Sequence, residues 1–258
     1  MKIVEINTMR ILLFLLLAVS LPAVTFSSQA ETFDHSHSDF TALLEDVVVA
    51  NNFQSRVRYS EVVSRRDELD GYLGHLAGVS RASFDKFSPD QQLSFLINTY
   101  NAYQLKQVID HYPIESIKDA GSFFSSPWSK EFFTLFGEPA SLDLVEHGLI
   151  RTLFKEPRIH FAVNCASISC PPLMAEAFVA SDLNAQLETA TFNFLKDADA
   201  NRLEGDTLYL SKIFDWYSGD FPQGVIPFVS KYRPDWVHNG EPKLDYTEYD
   251  WRLNQATE

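Results

Sequence analysis

Cys165 and Cys170 are the only cysteines of this 258-residue chain, and both fall in the run His160-Phe-Ala-Val-Asn-Cys-Ala-Ser-Ile-Ser-Cys-Pro-Pro172. A cysteine works as a nucleophile only as its thiolate, so it needs a base or a helix N-terminus beside it and a further group to orient the base. The chain supplies such parts nearby. His147 and His160 are candidate bases, while Glu146, Asn98, Asn101 and Asn164 can hold an imidazole or donate to an oxyanion. If residues 158 to 165 form a strand, His160 lies roughly 16 Å from Cys165 and on the opposite face, which leaves His147, carried on a helix, as the expected base. Cys170, set on a turn by Pro171, is the second candidate nucleophile. Arg151 lies one helical turn from His147, a pair expected to be structural.

The same two cysteines read equally well as a disulfide, because cysteines of exported chains usually pair. A bridge over so short a loop would contribute only about 2 kcal/mol and would mainly shape the Ser167 to Ser169 segment. Pairing and free thiols both stay open. Two thiolates with His147 or His160 could hold zinc, but the four-residue gap is only loosely like a zinc knuckle, and Asp143, Glu146, Asp215 and Asp220 follow no calcium-loop order, so a metal-stabilised scaffold is the third and weakest reading and no cofactor is expected. No Gly-x-Ser-x-Gly elbow marks a serine hydrolase.

Export is read from the first thirty residues. Lys2 and Arg10 precede an uncharged run from Ile11 to Thr25, and Ser28-Gln29-Ala30 places small residues before a cut at Glu31. The run is shorter than the ~20 residues that span a bilayer and contains Pro22, so a cleaved signal over residues 1–30 is expected, with a periplasmic or secreted product. The formal charge is −14, and a cut there would make the remainder one unit more negative. Nucleic acid is excluded as a partner, since phosphate binding needs clustered Lys and Arg. With 45% hydrophobic residues, including 21 Phe, the remaining chain can fill a core. No composition shift marks a seam, and residues 31–258 read as one domain.

Several elements must position these residues. Residues 31 to 38, with His35 and His37, read as a mobile lead-in. Helical periodicity runs over Phe40 to Ala50 and from Tyr59 to Leu76. Ser88-Pro-Asp-Gln91 is a capping box that opens a helix to about His111, apolar on more than one face and therefore buried. That helix carries Asn98, Tyr100 and Asn101, candidates for binding or orienting. An aromatic loop follows through Phe123, Phe124 and Trp128. Phe132 to Leu142 reads as a hairpin or bent strand around Gly137, and Ser141 caps a helix from Leu142 to Phe154. Ser181 to Asp197 is a helix, residues 202 to 210 a hairpin, and Ser211 caps a short helix to Trp216. A last helix spans Val225 to Tyr232, and residues 245 to 252 read as an edge strand or a tail. The mixture has no regular alternation of strand and helix. The expected class is α+β, helix-rich, with a small, mainly antiparallel sheet.

Four motifs together resemble the domain of unknown function 547 family: Asn98-Thr-Tyr-Asn-Ala102, Ser141-Leu-Asp-Leu-Val-Glu-His147 with Arg151, the cysteine run extended to Leu173, and Ser211-Lys-Ile-Phe-Asp-Trp-Tyr-Ser-Gly-Asp-Phe221. The resemblance covers about residues 59–221 and implies a shared core without a settled activity. It also implies intracellular plant relatives, where a stable disulfide would be unusual, which favours functional thiols. The order of His on a helix before Cys on a strand is similar to permuted papain-like thiol hydrolases.

The sequence therefore points to an exported thiol-dependent hydrolase or acyltransferase acting on a peptide or amide-like bond. Its competitor is a non-catalytic envelope protein with a Cys165–Cys170 disulfide that binds a ligand or partner near Trp128.

Overall fold

The structure is a computed structural model that describes residues 33–122, 125–237 and 242–257. The proposed signal and Phe123–Phe124 lie outside these residues. Residues from Phe33 onward form one compact unit.

The chain opens with Phe33, His35 and His37 packed inward, not as a mobile lead-in. Phe33 meets Phe95 edge-on at 5.2 Å, His35 meets Phe87 at 4.3 Å, and buried His37 bonds the Tyr72 hydroxyl at 2.7 Å. Aromatic burial outweighs the polar composition of this stretch. Helix α1 (Ser38–Val47) then runs directly into strand β1 (Val48–Asn51), which pairs with β2 (Gln54–Val57). The expected second helix breaks at Arg65 into α2 (Tyr59–Ser64) and α3 (Arg66–Ala77), followed by the single turn α4 (Arg81–Phe84).

Helix α5 (Pro89–His111) is the central element. Ser88 accepts from Gln91 N–H, and the Gln91 side chain accepts from Ser88 N–H, completing the capping box. Buried residues occupy every face of its middle, and α2, α3 and the segment 144–150 pack around it. Strands β3 (Phe133–Leu135) and β4 (Glu138–Ala140) form the expected hairpin, with Phe136 at φ 57° and Gly137 at φ 85°. Two successive positive φ values match the twist of a two-residue hairpin loop, and glycine takes the second at no steric cost.

Residues Leu144–Ile150 form a π-helix that ends in the α-turn α6 (Arg151–Leu153). Ser141 caps it, its hydroxyl accepting from Leu144 N–H at 3.1 Å. The strand expected over 158–165 is absent. Pro157–Phe161 is a 3₁₀ helix capped by the Glu156 carboxylate, and the chain runs irregularly from there to Cys165. Residues 159 to 164 are all buried, the polar His160 and Asn164 included, and burial without a period does not separate strand from helix.

Helix α7 (Leu183–Lys196) leads to β5 (Arg202–Glu204) and β6 (Thr207–Leu210), then to α8 (Lys212–Trp216), capped by Ser211, and α9 (Val225–Tyr232). Strand β7 (Lys243–Tyr246) joins β6 in parallel. Three small sheets of two, two and three strands thus replace the single sheet expected, and the class is α+β. Two apolar cores result. Ile159 and Ala162 belong to the core around α5, whereas Phe161 belongs to the one built from Phe194, Phe214 and Phe228. The segment carrying His160 is therefore held from both sides. Among the described residues no helix is long and apolar enough to cross a membrane.

Candidate functional site

The cysteines are bonded to each other, with Cα atoms 6.0 Å apart. Bridged sulfurs hold no thiolate, so the nucleophile read from the sequence does not exist in this state. The bridge closes a loop that amides fasten at every level. Asn101 donates to Ala162 C=O at 2.9 Å and accepts from Asn164 N–H at 2.9 Å. Asn164 donates to Pro171 C=O at 2.7 Å and accepts from Ala166 N–H at 2.9 Å. Asn98 holds Phe178 the same way, donating to its C=O and accepting from its N–H. Buried amides need partners, and these have backbone ones. Their role is to position the loop, and among the described residues no hydrogen bond joins them to an imidazole.

Residues 249 to 256 cross this loop as a strap. Ile168 N–H and Ser169 N–H donate to Arg252 and Asp250 C=O, Asn254 N–H donates to Ala166 C=O, and Leu253 N–H donates to Glu115 C=O. The strap adds Tyr249 and Trp251 to a cleft of about 170 Å³. Tyr100, Trp128, Trp216 and Tyr217 supply further rings, and Asp143, Glu146, His147, His160, Cys165 and Cys170 line it as well. The rings form a chain of contacts: Trp128 to Trp251 at 5.6 Å, Trp251 to Tyr249 at 4.5 Å, Tyr249 to Trp216 at 4.9 Å. The Tyr249 hydroxyl stands 3.3 Å from Cys165 Sγ and 3.5 Å from Cys170 Sγ.

Polar groups occupy the opposite wall. The π-helix presents Glu146, 6% exposed, and the more open His147; a π-turn in a helix is frequent at functional sites. Burial holds the Glu146 carboxyl above its ordinary range, against the pull of His147 and the Tyr217 hydroxyl bonded to it. Asp143 is raised for the same first reason. His160 donates from Nε2 to Asp220 Oδ2 at 2.7 Å, and Arg151 grips the same carboxylate through Nε at 2.6 Å and Nη2 at 3.0 Å. The hydrogen bond from Arg151 is the chief reason Asp220 is held low. With that charge already neutralised, burial dominates at His160 and lowers it to about 4, so the imidazole is neutral. Tyr217 stacks on it at 4.0 Å.

Its other nitrogen, Nδ1, has no hydrogen-bond partner among the described residues and lies 4.0 Å from Glu146 Oε1. His147 is arranged the other way. Arg151 Nη1 donates to its Nδ1 at 3.2 Å, so its hydrogen sits on Nε2, which lies 3.9 Å from Asp143. The geometry therefore offers His160 as the proton acceptor and His147 as a donor, reversing the sequence-based order. The expectation that His160 faces away from Cys165 fails with the strand on which it rested, because both residues line one cleft.

The structure thus brings Cys165, Cys170, Glu146, His147, His160, Tyr100 and Trp128 to the cleft and keeps Asn98, Asn101, Asn164 and Arg151 behind it. Sequence reasoning passed over Trp216, Tyr217, Tyr249 and Trp251. The first pair stood in a quoted motif as an unexplained aromatic doublet; the second pair lies far along the chain, beyond local patterns. At Asp220 the sequence offers a carboxylate in the fourth motif and no sign of its pairing with His160 and Arg151. Among the described residues no group of three His, Cys, Asp or Glu side chains is arranged to hold a metal.

These features define an α+β domain with an aromatic, acid-lined cleft floored by a disulfide. Residues 84–195 match the family model described as protein of unknown function, DUF547, the family that the sequence motifs resemble. The match holds three of the four motifs and leaves Ser211–Phe221 outside. No curated protein and no solved structure matches the chain.

Proposed function

We propose that this is an exported, periplasmic or secreted protein that binds a small ligand in the aromatic cleft, with Cys165–Cys170 as a structural bridge. The carrying observation is the cleft itself. Rings from four separate stretches of chain converge on buried polar groups, one of which, His160 Nδ1, has no hydrogen-bond partner among the described residues. Such a mix of apolar walls and few convergent polar groups is what small-molecule sites have in common. Trp216, 47% exposed at the mouth, would report occupancy by its fluorescence. Export is supported by the charge and composition of residues 1–30 and by the chemistry of a persistent disulfide.

A second reading keeps the thiol-dependent hydrolase or acyltransferase acting on a peptide or amide-like bond. It is favoured by the position of both sulfurs, which share the cleft with Glu146, His147 and His160. Reduction of the bridge by a dithiol would free Cys165 to attack, with His160 taking the proton in the place the sequence gives to His147. Thiol counting on the denatured protein, purified without reductant, separates the readings. No thiol before reduction and two after supports the binding protein. Two free thiols, one alkylated fast in the folded state, would replace it with the hydrolase.

A further inference from the structure

The cleft gathers two carboxyl groups, Asp143 and Glu146, and six aromatic rings, and among the described residues no Lys or Arg lines it. The cations nearest those rings, Lys118 over Trp251 at 4.3 Å and Arg151 over Tyr217 at 5.0 Å, stand outside the lining. Rings of this kind attract cations through their faces, most strongly where water is excluded.

His160 adds an independent demand. The residue is 2% exposed, and its Nε2 is turned to Asp220, which does not line the cleft. Its Nδ1 is on the side of Glu146, which does. Because Nε2 carries the hydrogen, Nδ1 presents a lone pair. A buried acceptor without a donor carries its full desolvation penalty, so a ligand N–H placed there removes a cost already built into the fold.

We propose that the cleft binds a primary ammonium group on a small apolar body, its N–H donors directed to His160 Nδ1 and the Glu146 carboxylate and its body lying among Trp216, Tyr249 and Trp251. The assignment rests on the ligand-binding reading above and narrows it to one chemical class. A quaternary ammonium would satisfy the rings but leave Nδ1 unpaired. A carboxylate would meet two carboxyl groups, and a neutral amide would leave the acidic wall without a countercharge. The cleft volume is close to the ~150 Å³ of a protein cavity that accepts benzene, so the body is about one ring in size.

Glu146 is faced by Tyr100 from α5, by Asp143, His147 and Arg151 from its own helix, by His160 with Asp220 behind it, by Tyr217, and by Tyr249 from the strap. An ammonium beside it favours the ionised carboxyl. Binding therefore weakens as pH falls through the raised Glu146 titration, and below that point it releases a proton.

The test is calorimetric titration of the oxidised protein with benzylammonium, benzamide and benzoate. Benzylammonium is expected to bind at least about tenfold more tightly than either analogue, a gap of the size one well-placed ionic contact gives. Glu146→Gln should lose about that factor, and Trp216→Ala, at an exposed position, should weaken binding with thermal melting unchanged. Benzamide or benzoate binding as tightly as benzylammonium would overturn the ammonium class and leave the ligand site standing. Unchanged affinity in Glu146→Gln would overturn the contact assigned to that carboxyl. No binding by any of the three would overturn both readings.

Discussion

At the scale of single residues, the most consequential finding is that three asparagines on or near the cysteine run are committed to backbone. Asn101 satisfies one C=O and one N–H that are otherwise buried. Asn101→Ala is expected to cost about 3 kcal/mol, since each orphaned group carries its own desolvation penalty; urea unfolding with an unchanged m-value would check it. The imidazoles set a pH dependence. His160 and His37 are both lowered to about 4, chiefly by burial, while an unfolded His titrates near about 6.5. At these two sites the unfolded chain then binds more protons between these values, so the stability they contribute is complete above about pH 6.5 and falls as pH drops toward 4. His37→Asn, whose side chain tolerates the φ of 50° at that site, should flatten the slope of melting temperature against pH over that window. If the variant retains the full slope, His37 is not a source of it.

At the scale of elements, the helices were legible wherever a cap and a period agreed. Ser88 with Gln91, Ser141 and Ser211 each cap the helix expected of them. Ser88→Ala should lower stability by about 1 kcal/mol, measurable as a lower melting temperature, because α5 loses a cap that no neighbour replaces. What failed to be legible had a physical reason in each case. Residues 159 to 164 are all buried, His160 and Asn164 included, so their burial follows no period. The lead-in histidines were polar by type and aromatic by contact. The π-helix over Leu144–Ile150 follows from no propensity at all, yet it decides that Glu146 is buried and His147 open. The constituents of the site were thus visible in sequence, but the roles of the two histidines were not, because tautomer and direction depend on Asp220 and Arg151.

At the scale of the whole molecule, the disulfide and the strap act on the same loop. Replacing both cysteines by serine should cost about 2 kcal/mol, the amount expected from closing so short a loop, and leave the fold cooperative. Removing residues 248–258 should cost more than that. It deletes backbone hydrogen bonds to Val57, Glu115, Ala166, Ile168 and Ser169 and two of the cleft's rings together. Thermal unfolding of the two variants side by side would rank the restraints, and a truncated chain that melts with the intact one would show the strap to be dispensable.

The strap also imposes an order in time. Residues 249 to 256 close on Val57, Glu115 and Ala166, all of which leave the ribosome before them. Contacts so distant in sequence form late in folding. The cleft therefore cannot be completed before residues 249 to 256 have been made, whatever the earlier helices do, and binding competence arrives only once that segment has found its place across the loop.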